Sequence, residues 1–149
     1  MKTFDFSLKD KDGVVHALSK CSHEIVVLFF YPKDNTPGCS IESKEFSHLY
    51  EQFLSQGIQV FGISGGDQQS KEKFCEKYNL QMPMLIDTDF SVSKEFGVYG
   101  EKSFMGKKYM GLSRETFVLD KNRKVVKHFP KVKPLGHAKE VLEWIQDNM

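Results

Sequence analysis

The chain has 149 residues, 40% of them hydrophobic and 13% aromatic, enough apolar side chain for a packed core and too much for a disordered tail. Twenty-one Lys and Arg against 20 Asp and Glu leave a formal charge of +1, which offers no electrostatic footprint for nucleic acid or an anionic membrane surface. The longest apolar run, Ile25 to Tyr31, is far short of the roughly 20 residues of a membrane span, and Met1 to Asp5 do not resemble a secretory signal. Three cysteines, with no CxxC and no Cys/His cluster at zinc spacing, point to a reducing compartment, cytoplasmic by default, and to thiols kept for chemistry or packing.

No repeat, linker or low-complexity stretch interrupts the chain, so residues 1–149 are expected to form a single domain. Phe4-Asp5-Phe6-Ser7-Leu8 alternates apolar with polar, Asp12-Gly13 offers a turn, and Val14 to Leu18 follows, which reads as a hairpin. The run 25–31 is too short and too β-branched at its start for a helix and predicts a strand buried on both faces, ended by Pro32. Phe46, Leu49, Tyr50, Phe53 and Leu54 fall at helical spacing, with Gly57 as a stop. A second buried strand is expected at 58–64. A helix follows from Gln68 to Tyr78, capped by Asp67 and ended by Asn79. Met84-Leu85-Ile86 predicts a short strand, and Asp89 is placed to cap a helix through Phe96 before Gly97. Residues 99–113 read as a surface loop or ribbon, 116–120 and 124–129 as a hairpin around Lys121-Asn122, and Ala138, Val141, Leu142 and Ile145 as one face of a last helix. Strands alternating with helices give an α/β three-layer domain with a central mixed sheet. The order resembles the thioredoxin fold with an N-terminal β-hairpin added.

The segment Tyr31-Pro32-Lys33-Asp34-Asn35-Thr36-Pro37-Gly38-Cys39 joins the C-terminal end of a buried strand to the start of a helix, the sheet edge where α/β proteins place ligands. A cysteine in a helix's first turn faces unpaired backbone N–H groups and the positive end of the macrodipole, which favour a thiolate. Pro37 fixes one φ angle and Gly38 permits an unusual one, allowing a tight entry into the helix. Thr36, three residues before Cys39, is near enough for its hydroxyl to reach the sulfur or an oxygen bound there. A single cysteine at a helix start also serves as a small buried residue, so these features alone leave reactivity open.

Pro32, Thr36 and Cys39 match residue for residue the PxxxTxxC signature of peroxiredoxins, and the surrounding nine residues resemble the version in the bacterioferritin comigratory protein (PrxQ) branch. Lys108 to Phe117 is similar to the family segment that holds its active-site arginine, and the likeness extends to residues 136–142. The resemblance implies a thiol peroxidase of the AhpC/TSA type with Cys39 as nucleophile and Arg114, Thr36 and Pro32 around it; no cofactor is expected, and the scattered histidines disfavour a metal. It implies peroxide substrates, recycling by thioredoxin or a similar dithiol, and a monomer. Of the two arginines, Arg114 directly precedes an expected strand, whereas Arg123 sits in a hairpin turn. Glu42, three residues after Cys39, is placed to hold the Arg114 guanidinium, although a Glu in a helix's first turn is also ordinary dipole compensation. An ionised thiol does not suffice. Lowering a thiol pKa from about 8.5 to about 6 raises the thiolate at pH 7 about 30-fold. The accompanying loss of nucleophilicity returns roughly tenfold of that. The remainder must come from aligning the O–O bond and stabilising the departing oxygen.

Many members of this branch carry a second cysteine five residues after the first; here that position is Lys44. Cys21 lies before a strand rising roughly 23 Å toward Cys39, whereas disulfide Cα atoms lie within about 7 Å, so it reads as a packing thiol. Cys75, 36 positions after Cys39, resembles the family variant whose resolving thiol lies in this helix. It sits roughly 12 Å down that helix, so a Cys39–Cys75 disulfide is expected to need local unfolding. Two alternatives remain: a 1-Cys enzyme resolved by an external thiol, and a non-enzymatic thioredoxin-fold binding or chaperone module. His16, His23, His48, His128 and His137 are scattered without ligand spacing.

Overall fold

The computed structural model describes residues 4–34 and 36–149, with Phe104 described by its backbone alone. Met1, Lys2, Thr3 and Asn35, the last within the segment singled out above, lie outside the described residues.

Nine strands are described: β1 (Ser7–Lys9), β2 (Val15–Ala17), β3 (Ile25–Phe30), β4 (Ile58–Ser64), β5 (Met84–Ile86), β6 (Tyr99–Phe104), β7 (Lys107–Leu112), β8 (Glu115–Leu119) and β9 (Val125–Phe129). The helices are α1 (Pro37–Ser55), α2 (Gln68–Tyr78), α3 (Ser91–Glu95) and α4 (His137–Asn148). Seven strands form one mixed sheet in the order β2-β1-β5-β4-β3-β8-β9. β3, β4 and β5 run parallel, while β8 and β9 continue antiparallel on one side and the β1–β2 hairpin joins through β5 on the other.

The strict period of two in β3 divides the interior. Val27 and Phe29, with Tyr31 beyond the strand's end, face Phe46 and Phe53 of α1, Phe74 and Cys75 of α2, and Val141, Leu142 and Ile145 of α4. Val26, Leu28 and Phe30 face the opposite way, toward Phe61, Ile63, Leu85, Val92 of α3, Phe96 and Phe117. Every residue from Val26 to Tyr31 is fully buried, as expected for a strand covered on both faces. No helix among the described residues is long and apolar enough to cross a membrane.

Most element boundaries follow from local chemistry. Asp67 caps α2 by accepting from the Ser70 N–H at 2.8 Å, while Ser70 Oγ accepts from the Asp67 N–H, a reciprocal capping box. Asn79 ends α2 in the left-handed conformation at φ 48°. Residues 99–112 form the ribbon β6–β7, turned by Met105 and Gly106, both at positive φ, the pairing a two-residue hairpin loop demands.

Two expectations need correction. The first strand starts at Ser7 rather than Phe4: the Phe4 N–H donates to the Arg123 carbonyl at 3.0 Å and its ring stacks on Phe96 at 4.0 Å, both outside the ladder. Asp89 meets the Ser91 N–H at 3.0 Å, but the buried carboxylate holding the start of α3 is Asp87. It accepts from the Val92 N–H, the Ser93 N–H and Ser93 Oγ at 3.3, 2.7 and 2.7 Å. Sequence spacing favoured Asp89; burial decided for Asp87.

Candidate active site

Helix α1 opens at the end of β3. Thr36 is its N-cap, in extended conformation, and its carbonyl accepts from the Ser40 N–H at 2.9 Å. Pro37 follows as the first helical residue, where its missing N–H costs nothing, and Cys39 is third, fully buried.

Arg114 reaches the same point from the link between β7 and β8, 75 positions away in sequence. Its Nη2 donates to Cys39 Sγ at 3.3 Å and its Nη1 to Glu42 Oε1 at 2.9 Å. The Arg114 carbonyl accepts from the Val132 N–H at 3.0 Å, so the strand on one side and the segment after β9 on the other hold its backbone. Burial works against the guanidinium's charge, but Cys39 and Glu42 outweigh it and keep its pKa above the ordinary value. Glu42 is itself fully buried, and its Oε2 has no hydrogen-bond partner among the described residues. Burial pushes its pKa up to about 7 despite the guanidinium beside it.

Gly38 is explained differently from the sequence expectation. It adopts no left-handed φ. A Cβ there would stand 2.9 Å from Arg114 Nη2 and 3.4 Å from Pro134 Cγ, so the residue is small because the guanidinium passes over it. Thr36 also differs in detail: its hydroxyl donates to the Lys33 carbonyl at 3.0 Å and not to the sulfur. Pro32 lies exposed in the bend after Tyr31.

Cys75 lies one turn from the end of α2, nearly buried, with burial pushing its thiol up to about 11 against the opposing pull of Lys71. Cys39, Cys75 and Cys21 are all free thiols. Cys21 packs at the edge of the cluster on the other side of the sheet from Cys39. Its carbonyl and that of His23 accept from Arg123 at 2.9 and 2.8 Å, which ties Arg123 to the opposite end of β3.

A buried polar group bonded to the loop that leads to Cys39 escaped the sequence reading. Lys71 of α2 is wholly buried, and its ammonium bonds to Tyr31 Oη at 2.8 Å, Asp34 Oδ1 at 3.0 Å and Ser64 Oγ at 2.5 Å. The available signal was position: Lys71 leads Phe74, Cys75 and Tyr78 at intervals of three, four and seven, the inward face of α2.

Residues 2–128 match the AhpC/TSA family. A Bcp protein of Helicobacter pylori strain J99 is 42% identical over 139 residues, 93% of this chain and 91% of that protein. The peroxiredoxin Bcp of Bacillus subtilis is 37% identical over 146 residues, 98% and 93% of the respective chains. Among solved structures, the Xanthomonas campestris bacterioferritin comigratory protein, studied for its alkyl peroxide reduction activity, superposes with a TM-score of 0.93. It is 34% identical and covers 99% of this chain, which covers 92% of it. The mixed sheet with its flanking helices is thus the thioredoxin fold of these relatives, and a buried cysteine at the mouth of a helix under an arginine is the kind of site that fold can build. The chain belongs to the AhpC/TSA family and is a peroxiredoxin of the bacterioferritin comigratory protein branch, a thiol peroxidase.

Proposed function

We propose that this chain, as a single domain acting as a monomer in the cytoplasm, reduces hydrogen peroxide and organic hydroperoxides through Cys39 and is recycled by thioredoxin or a similar dithiol. The observation that carries the reading is the Arg114 guanidinium, 3.3 Å from Cys39 Sγ and braced by buried Glu42. The Cys39 thiolate attacks the terminal peroxide oxygen, the O–O bond breaks, and the alkoxide or hydroxide leaves and takes up a proton. Arg114 and the backbone N–H groups at the start of α1 face the oxygen on which charge develops. Thr36 acts through its hydroxyl oxygen, which stays free to accept from a hydroperoxide proton while donating to Lys33. Pro32, exposed in the bend after Tyr31, fixes the turn of the loop that leads to Cys39. Organic hydroperoxides are included because the Xanthomonas campestris relative reduces alkyl peroxides.

Cys39 is then a sulfenic acid. The Cys75 thiol attacks its sulfur, the S–O bond breaks, and a Cys39–Cys75 disulfide and water result; a dithiol reduces the disulfide. Support comes from Xanthomonas campestris peroxiredoxin Q, whose two cysteines replaced by serine in solved variants also stand 36 positions apart. Cys75 is buried in α2, so both helix starts must open before the sulfurs meet. Its raised pKa favours a second reading in which an external thiol resolves Cys39 directly.

Peroxide consumption by the wild type and its loss in Cys39→Ser test the first step. Mass spectrometry of the peroxide-treated protein decides the second. A Cys39–Cys75 linkage, with loss of thioredoxin-dependent turnover in Cys75→Ser, is expected. Stable sulfenic or sulfinic acid on Cys39 alone would reject Cys75 as the resolving thiol.

A further inference from the structure

We propose that Lys71 is a positioning residue that latches the active-site loop to helix α2, so that the segments carrying Cys39 and Cys75 open as one unit. The part concerning Cys75 rests on its reading as the resolving thiol.

Three chain segments converge on the Lys71 ammonium. Tyr31 stands at the end of β3, Asp34 lies in the loop leading to Cys39, and Ser64 ends β4. An ammonium has three protons, and here each has an acceptor. The Tyr31 hydroxyl also donates to Asp34 Oδ1 at 2.7 Å, which closes a ring of bonds around the same carboxylate oxygen. Asp34 is the member drawn from the active-site loop. The bond from Thr36 Oγ1 to Lys33 O stays within that loop and does not anchor it. Lys71 is the wholly buried lysine among the described residues. A methionine would fill the space without desolvating a charge, so the charge calls for a reason beyond packing. Apolar contacts slide and loosen gradually, whereas a buried ion pair with directed bonds either holds or releases.

The geometry makes the two openings one event. Cys75 lies four residues after Lys71, one turn along the same face of α2. Freeing Cys75 by unwinding the start of α2 pulls Lys71 from Asp34 and Tyr31. Freeing Cys39 by loosening the loop breaks those same bonds from the other side.

The test uses the full reduced chain with Lys71→Met, Asp34→Asn and the double variant, read by amide hydrogen exchange. In each single variant the amides of residues 40–43 and those of α2 through Cys75 are expected to exchange roughly tenfold faster or more. Amides of β3 and β4 keep their wild-type rates. The double variant matches the faster single, because either substitution already breaks the latch. In stopped-flow oxidation the first, peroxide-dependent phase slows and the following disulfide-forming phase quickens. Unchanged exchange, faster exchange in one of the two segments alone, acceleration throughout the sheet, or additive effects of the two substitutions would each overturn the latch. Disulfide mapping of the wild type separates the two ideas. Without a Cys39–Cys75 linkage the resolving role fails while exchange still decides the latch; with the linkage present but exchange unmoved, the latch alone fails.

Discussion

Gly38 shows how a single missing carbon makes room for the Arg114 guanidinium. A methyl there would meet the end of the flexible Arg114 side chain, which can swing aside, so the fold tolerates the change while the guanidinium does not keep its place. Gly38→Ala is expected to lower the second-order rate constant with peroxide roughly 10- to 100-fold while shifting stability by no more than about 1 kcal/mol. Stopped-flow oxidation and thermal unfolding of the same preparation check both halves. Glu42 gives the second prediction at this scale. Its pKa rises from an ordinary 4.5 to about 7 on folding, so between those values the folded state holds more protons than the unfolded one. Stability from this group is therefore fully present below about pH 4.5 and falls as pH rises through about 7. Glu42→Gln removes the titration, and the variant should gain about 3 kcal/mol on the wild type across that window. Urea unfolding at a series of pH values measures it, and a flat difference would show that Glu42 does not titrate there.

Local signals placed elements well where the chain satisfies its own backbone. The capping box of α2, the left-handed Asn79 behind it and Pro37 at the first position of α1 are all set by neighbours within a few residues. α3 is the counterexample. Its five residues are too few to hold a helix unaided, and its start depends on Asp87, buried beneath it. Asp87→Ala would leave three donors without a partner, two backbone N–H groups and the Ser93 hydroxyl. A loss of about 3 kcal/mol is expected, measurable by chemical denaturation. The corresponding Asp89→Ala change, at an exposed turn where the carboxylate meets the Ser91 N–H, should cost less than about 1 kcal/mol. Reading Asp89 as the cap was reasonable from spacing, since only the third dimension reveals which carboxylate is enclosed.

Across the whole molecule, the sheet separates the cysteines. Cys39 and Cys75 share the core between the sheet and α1, α2 and α4, whereas Cys21 borders the other core, at the opposite end of β3. Cys21→Ala is therefore expected to leave peroxide consumption and thioredoxin-dependent turnover at wild-type rates in a coupled assay. A drop in turnover would bring Cys21 into the cycle. The same sheet explains why Arg114 and Arg123 have different work. β8 pairs with β3 so that Glu115 lies opposite Phe30, which puts Arg114 at the end where Cys39 emerges. The strand's far end carries Arg123 to the carbonyls of Cys21 and His23.

By itself the sequence determined most of the elements, the mixed α/β class and the setting of Cys39 at a helix start, because hydrophobic period, capping residues and turn residues act over a few positions. It also carried the motif of Pro32, Thr36 and Cys39 and singled out Arg114 by its flanking residues. Only the tertiary structure decided that Arg114 bridges Cys39 and Glu42, that Gly38 is small for the guanidinium's sake, and that Lys71 sits unexposed among Tyr31, Asp34 and Ser64. Each of these joins residues on different elements of one sheet edge, where strand order and burial set distance and charge cost, and neither is encoded within any one stretch of chain.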